Sequence, residues 1–222
     1  QSPLLRLLKE SFVFKCTDRL DDIGRVDFQI PLLSLPGLFL SRSLSPKNRE
    51  PYLSVSEASV KYWQDKLKIQ GGERLNIGLA VSGSSQHSSN SLRSIHPKFL
   101  SEIDANFFLI QKDVEKNSSE WMFQNGNYVD CGNLIEDFYD SASIIRSMDV
   151  VISVDTSLAH LSGALGIKTL LLLPYVAEWR WLEGTQNTPW YNSMILFRQD
   201  SPGDWNSAVS QIKKYIDINL RA

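Results

Sequence analysis

Apolar and polar positions follow two different rhythms along this chain, and the rhythm changes near residue 70. After that point short apolar runs recur: Leu75, Ile77, Leu79 and Val81; then Phe107, Phe108, Leu109 and Ile110; then Val150, Val151 and Ile152; then Leu170 to Leu173. Runs of this length, rich in β-branched and large apolar residues, predict strands. The pattern gives strands over 74–81, 106–110, 128–131, 149–154, 168–173 and 194–198. Helices are predicted between and after them. One runs over 96–105, with Pro97 at its first position. One runs over 140–148, with Asp140 or Ser141 as N-cap. A third covers 156–165 and is ended by Gly166. The last covers 204–220. Strands that are apolar on both faces and alternate with helices predict a parallel sheet covered on both sides.

The first 70 residues are less regular. A helix is predicted over 2–10 and a short strand over 11–16, carrying Phe12, Val13 and Phe14. Residues 28–33 are apolar, with Pro31 and Pro36 as bounds, and 41–53 hold Pro46, Asn48 and Pro51, which is loop chemistry. A helix over 56–68 begins at Ser56-Glu57 and places Val60, Trp63 and Leu67 on one face. About two short strands and two helices do not close a sheet. Gly71-Gly72 punctuates the chain between this region and the regular one. Two units are therefore expected, over 1–70 and 71–222.

Composition narrows the class. The 222 residues carry 23 Lys plus Arg against 25 Asp plus Glu, a net charge of -2. Hydrophobic residues make up 42 % and mean hydropathy is -0.20, which fits a globular chain and argues against disorder, collagen and coiled coil. No run approaches the roughly 18 apolar residues of a membrane span. The near-neutral balance gives no general pull towards nucleic acid or an anionic membrane. Cys16 and Cys131 are too few for a disulfide scaffold and are expected as free thiols in a reducing compartment. The chain starts at Gln1 with no basic-then-apolar leader, so no targeting peptide is visible; a preceding segment is expected to have been removed or left out.

The richest segment is Asp149-Val-Val-Ile-Ser-Val-Asp155-Thr156-Ser157-Leu-Ala-His160. A strand passes directly into a helix there. Such a junction leaves backbone N–H groups and the positive end of the helix dipole at the carboxyl edge of the sheet. Thr156 and Ser157 fall in the first turn, and His160 lies on the face of Thr156. These residues suit a phosphate or diphosphate; equally, Asp155 and Thr156 suit plain capping and His160 a satisfied core position. The Ser/Asn-rich loop over 82–95, with Ser84, His87 and Arg93, leaves the first strand at the same edge and reads as a phosphate contact or as a surface loop. Trp179, Trp181, Trp190 and Tyr191, with Glu178 and Arg180 among them, suit a sugar ring or base, or an aromatic cover for the sheet. No GxGxxG follows a strand and no GxxxxGK[ST] is present. No HExxH, paired CxxC or His/Cys cluster occurs, so no metal site is expected, and no GxSxG occurs, so an α/β-hydrolase nucleophile is not indicated.

Several stretches together resemble the heptosyltransferase family (glycosyltransferase family 9). These are the Val-Ile-Ser-Val-Asp155-Thr156-Ser157-Leu-Ala-His160-Leu-Ser-Gly163-Ala-Leu-Gly run; Pro31-Leu-Leu-Ser-Leu-Pro36; Ser82-Gly83 through Arg93-Ser94-Ile95; Leu-Leu-Leu-Pro174-Tyr175 through Trp181; and Pro189-Trp190-Tyr191 through Trp205. More narrowly, the chain resembles the glycosyltransferase-like domain found behind tetratricopeptide repeats in many bacterial proteins. The resemblance implies an α/β, GT-B-like fold: a Rossmann-like parallel sheet with helices on both faces, preceded by a partial second α/β domain. Residues 71–222 would be the nucleotide-sugar domain, and 1–70 part of an acceptor-side domain that begins well before Gln1.

By the same resemblance Thr156, Ser157 and His160 would surround the donor diphosphate, approached by Ser84 and Arg93, with Asp155 also among the donor-binding residues. Lys112 would meet ribose or phosphate, and Phe138, within the 136–138 segment, would meet the base. A nucleoside-diphosphate sugar is the implied co-substrate, with no other cofactor. The acceptor (glycan, lipid-linked or protein) is not specified, and a tetratricopeptide-repeat segment upstream and a cytoplasmic setting are implied. Ser88, Ser89, Asn90 and Ser91 stand where related sequences usually carry more charge. That departure keeps a second expectation open: a catalytically inactive nucleotide-binding or interaction module of the same fold. An epimerase acting on the same donors is a third, for which no acid/base set is identifiable.

Overall fold

A computed structural model describes residues 2–39, 50–83, 90–112, 114–124 and 127–221. Six strands form one sheet: β1 (Asn76–Ala80), β2 (Asn106–Leu109), β3 (Tyr128–Asp130), β4 (Val150–Val154), β5 (Thr169–Leu173) and β6 (Met194–Arg198). The helices are α1 (Ser2–Ser11), α2 (Leu35–Phe39), α3 (Glu57–Leu67), α4 (Asn90–Arg93), α5 (Lys116–Gln124), α6 (Phe138–Ile145), α7 (Ser157–Ala164) and α8 (Trp205–Asn219).

All strands are parallel, in the order β3-β2-β1-β4-β5-β6. The chain builds outward from β1 to β3, returns to lay β4 against the other side of β1, and builds outward again. At that reversal the connections leave β1 and β4 in opposite directions, which opens a crevice at their carboxyl ends.

Alternate strand residues feed the two faces. Ile77, Leu79, Phe107, Leu109, Ile152, Leu170 and Leu172 pack with Met122 of α5 and with Trp205, Ile212 and Ile216 of α8. Phe108, Ile110 and Val151 turn to the other face and meet α6 and α7. Because both faces are covered, the strands are unbroken apolar runs, and all six expected strands are present within a few residues of their predicted limits.

Helices α1 and α3, from the first 70 residues, lie on that second face. Leu7 is fully buried and Trp63 is nearly so, in one cluster with Phe108, Ile110 and Ile144. The Arg6 guanidinium donates to Asp140 Oδ1 at 3.2 Å, and the Ser59 and Ser143 hydroxyls are 2.8 Å apart. The two short strands expected before residue 70 are absent: among the described residues no strand precedes β1. Over 11–16 the Phe12 and Phe14 rings stack on each other at 4.7 Å while Val13 and Phe14 face solvent. A strand needs a neighbouring backbone to satisfy its N–H and C=O groups, and among the described residues no strand pairs with this stretch. The 28–33 stretch instead leads into a 3-10 turn, Leu32–Ser34, and then α2.

Two helix limits and one further helix also differ from expectation. The helix over 140–148 starts earlier, because Asp137 rather than Asp140 or Ser141 is the cap, accepting from the amides of Tyr139 (2.8 Å) and Asp140 (3.0 Å). The helix over 96–105 shrinks to a 3-10 turn, Pro97–Leu100, opened by His96, whose Nδ1 accepts the Lys98 amide at 3.1 Å. Helix α5 was not expected: its sequence is mostly polar, and among its described side chains Met122 is the deeply buried apolar anchor. No helix among the described residues is long and apolar enough to cross a membrane.

Candidate ligand site at the carboxyl edge of the sheet

A cavity of about 670 Å³ opens at the carboxyl ends of β1, β2 and β4, where the strand order reverses. Its floor is the junction of β4 with α7. Thr156 is the N-cap of α7, with extended backbone (φ -141°, ψ 171°), and its side chain makes no capping bond. The Thr156 hydroxyl lies 3.2 Å from Ser153 Oγ instead. Among the described residues the first turn of α7 therefore faces the cavity without a side-chain acceptor on its amides, which leaves the positive end of the helix for a ligand.

One wall comes from β1 and the loop after it. Gln111, buried at the end of β2, accepts from the amides of Val81 (2.7 Å) and Ser82 (3.1 Å) and donates to Ser82 Oγ at 2.6 Å. This fixes the path of the chain into Gly83. Arg93 returns from α4 and donates from Nη1 to the Asp155 carbonyl at 2.9 Å. A Cβ on Gly83 would run into the Arg93 guanidinium, so a side chain there would make the end of Arg93 shift. Arg93 Nε is buried with no hydrogen-bond partner.

The opposite wall is built from β2, the turn before α6, and α6 itself. Ile110, Ile135 and Phe138 make it apolar, and Lys112 reaches across to donate from Nζ to the Glu136 carbonyl at 3.1 Å. Asp137 caps α6 beside it and lies 3.7 Å from the Arg6 guanidinium.

His160 and Arg180 close the third side. The His160 ring stacks on Trp181 at 5.1 Å between centroids, and Nδ1 is 3.0 Å from the Tyr191 hydroxyl. Burial lowers its pKa from the usual value; Asp155 opposes this and Arg180 adds to it. The imidazole is accordingly neutral at pH 7. Arg180 lies 3.8 Å from Glu178, both partly exposed, a contact that contributes little to stability.

The structure brings Arg93, Lys112, Phe138, Asp155, Thr156, Ser157 and His160 around this one cavity. Ser84 and His87 lie outside the described residues. The aromatic stretch divides: Trp181 and Tyr191 are core residues, whereas Trp179 is exposed. Gln111 and Ser141 line the cavity and were not anticipated. Gln111 had a signal, since it is the first polar residue after an apolar strand, as Asp155 is after Val154.

No protein-family model and no curated protein matches the sequence. Among solved structures, the chain is similar to ADP-heptose LPS heptosyltransferase II of E. coli, with a TM-score of 0.54 and 14 % identity, over 78 % of this chain and 54 % of that one. A glycosyltransferase family 9 protein of Veillonella parvula gives a TM-score of 0.47 at 10 % identity, over 75 % of this chain and 47 % of that one. An E. coli heptosyltransferase solved with ADP-2-deoxy-2-fluoro heptose gives 0.47 at 15 %, over 84 % and 54 %. The first likeness establishes the fold, an α/β sheet of the type found in GT-B heptosyltransferases. The chain spans about half the length of each of these proteins.

Proposed function

We propose that this chain binds a nucleoside-diphosphate sugar and takes part in transferring its sugar to an acceptor hydroxyl. The observation that carries this reading is the α7 amino end, left uncapped by the Thr156 side chain and opening into a cavity of about 670 Å³ with Arg93, Lys112 and Arg180 at its sides. A diphosphate would sit on the first turn of α7, where free amides and the helix dipole favour an anion. The apolar wall of Ile110, Ile135 and Phe138 suits the nucleoside. In the transfer, the acceptor oxygen bonds to the anomeric carbon and its proton passes to a base. The bond from that carbon to the phosphate oxygen breaks, and the electron pair leaves with the nucleoside diphosphate. The α7 amino end and the cations stabilise that departing charge. The ADP-heptose named for the E. coli heptosyltransferase II makes ADP the first nucleotide to try. The cytoplasmic setting and an upstream tetratricopeptide-repeat segment belong to the same proposal.

Titration calorimetry with ADP, UDP and GDP, followed by assays of donor hydrolysis and transfer, tests it. One diphosphate is expected to bind, and its sugar donor to turn over. A second reading, a binding module without transfer, is favoured by the engagement of two cations with the protein: Arg93 donates to the Asp155 carbonyl and Lys112 to the Glu136 carbonyl. Binding without turnover selects the module. Binding of none of the three nucleotides removes both readings.

A further inference from the structure

His160 is held from two sides by side chains that are not among the residues lining the cavity. Its ring lies nearly parallel to that of fully buried Trp181, at 21°, and is tilted against Tyr191 with 5.8 Å between centroids. Tyr191 is only 9 % exposed. Its ring lies over Gly163 of α7, where an added Cβ would stand 2.5 Å from Cγ. Residue 191 thus meets α7 one turn beyond His160 and reaches back to Nδ1 at 3.0 Å.

That hydrogen bond has two possible directions, and acid strength chooses between them. A phenol is a far stronger acid than the N–H of a neutral imidazole, and the bare imidazole nitrogen is a better acceptor than a phenol oxygen. The Tyr191 hydroxyl also interacts with the Tyr52 side chain; the favoured arrangement has the Tyr191 O–H donating to Nδ1 while its oxygen accepts from the Tyr52 hydroxyl. Neutral imidazole carries one proton, so it must then sit on Nε2. Burial favours the neutral form of both partners: it raises the pKa of Tyr191, with Tyr52 acting in the same direction, and lowers that of His160.

We infer that Tyr191 is the positioning residue that fixes His160 as its Nε2–H tautomer, so that the ring offers a hydrogen-bond donor to an anionic ligand in the cavity. The identity of that anion rests on the proposed function; the tautomer does not. One chemical consequence follows. A ring already protonated at Nε2 and engaged at Nδ1 has no free lone pair, so His160 is not the base that takes the acceptor proton. That proton leaves by another group.

The chain has three histidines, which makes the test direct. In a two-bond proton–nitrogen correlation spectrum at neutral pH, the His160 pattern is assigned by its loss in His160→Gln. The expected pattern has Nδ1 bare and Nε2 protonated. Tyr191→Phe keeps the ring and removes the hydroxyl; the tautomers are then expected to mix, and ADP affinity to fall about three- to tenfold. Nδ1–H in the unmodified chain, or an unchanged tautomer in Tyr191→Phe, overturns the inference. The Nε2–H pattern in a chain that binds no nucleotide supports the inference and defeats the nucleotide reading alone.

Discussion

Gly163→Ala sets two effects of opposite sign against each other. Gly163 is in the body of α7, where alanine favours the helix by about 0.8–1.0 kcal/mol over glycine. On propensity alone the substitution stabilises. The added methyl carbon, however, would lie 2.5 Å from Tyr191 Cγ and 2.7 Å from both Cδ atoms, well inside the 3.4 Å at which ordinary contact begins. Relief requires the ring to move by close to an ångström. It has little room, since Tyr191 packs among Ala159, Leu171, Trp181 and Leu196. Overpacking of this kind costs about 1–3 kcal/mol. The net expectation is a loss of about 1 kcal/mol, read as a fall in melting temperature of about 2–4 °C for a chain of this size. The same displacement pulls the Tyr191 hydroxyl out of reach of His160 Nδ1, so the tautomer pattern changes too.

A double-mutant cycle isolates the clash. In a Tyr191→Ala background the added methyl meets no ring, and Gly163→Ala should then stabilise by about the propensity difference. Thermal melts of the four proteins read the cycle. A rise in melting temperature for Gly163→Ala in the unmodified background, or the same change in both backgrounds, refutes the steric account.

Three shorter predictions test the surroundings. Asp137→Ala removes the cap of α6, which holds two amides, and should cost about 1–2 kcal/mol in a denaturant melt; Asp137→Asn should recover most of it, and an Asn as damaging as Ala would locate the effect in the charge facing Arg6. Because burial holds His160 below its usual value of 6.5, the unfolded chain takes up this proton first as pH falls. Stability is therefore lost on acidification below about pH 6.5, and less so in His160→Gln; parallel pH curves for the two would contradict this. Burial, with Asp130 adding to it, pushes the Cys131 thiol up to about 12, so at pH 8 a thiol reagent should label Cys16 in the native protein and Cys131 only on unfolding. Simultaneous labelling of both in the native state would refute it.

The strands were readable because a parallel sheet covered on both faces must be made of continuous apolar segments, and Phe107–Ile110 or Leu170–Leu173 fit little else. The β4–α7 junction was readable for a related reason: an apolar run that ends in Asp155-Thr156 and resumes helical spacing marks a chain passing from sheet to helix within two residues. Local signals failed where a partner remote in sequence decides. Residues 11–16 have strand composition but, among the described residues, no strand to pair with, and α5 has weak helical patterning yet is fixed by Met122 against the sheet. The competition among capping, core and ligand roles at the site was likewise undecidable from order alone. Arg93 meets Asp155 across 62 residues, Lys112 meets Glu136 across 24, and Tyr191 meets His160 across 31. Periodicity reports which face of an element avoids water, and it does so within one element. Which elements lie side by side depends on strand pairing and close packing between distant segments, and that is what gathers these residues around one cavity.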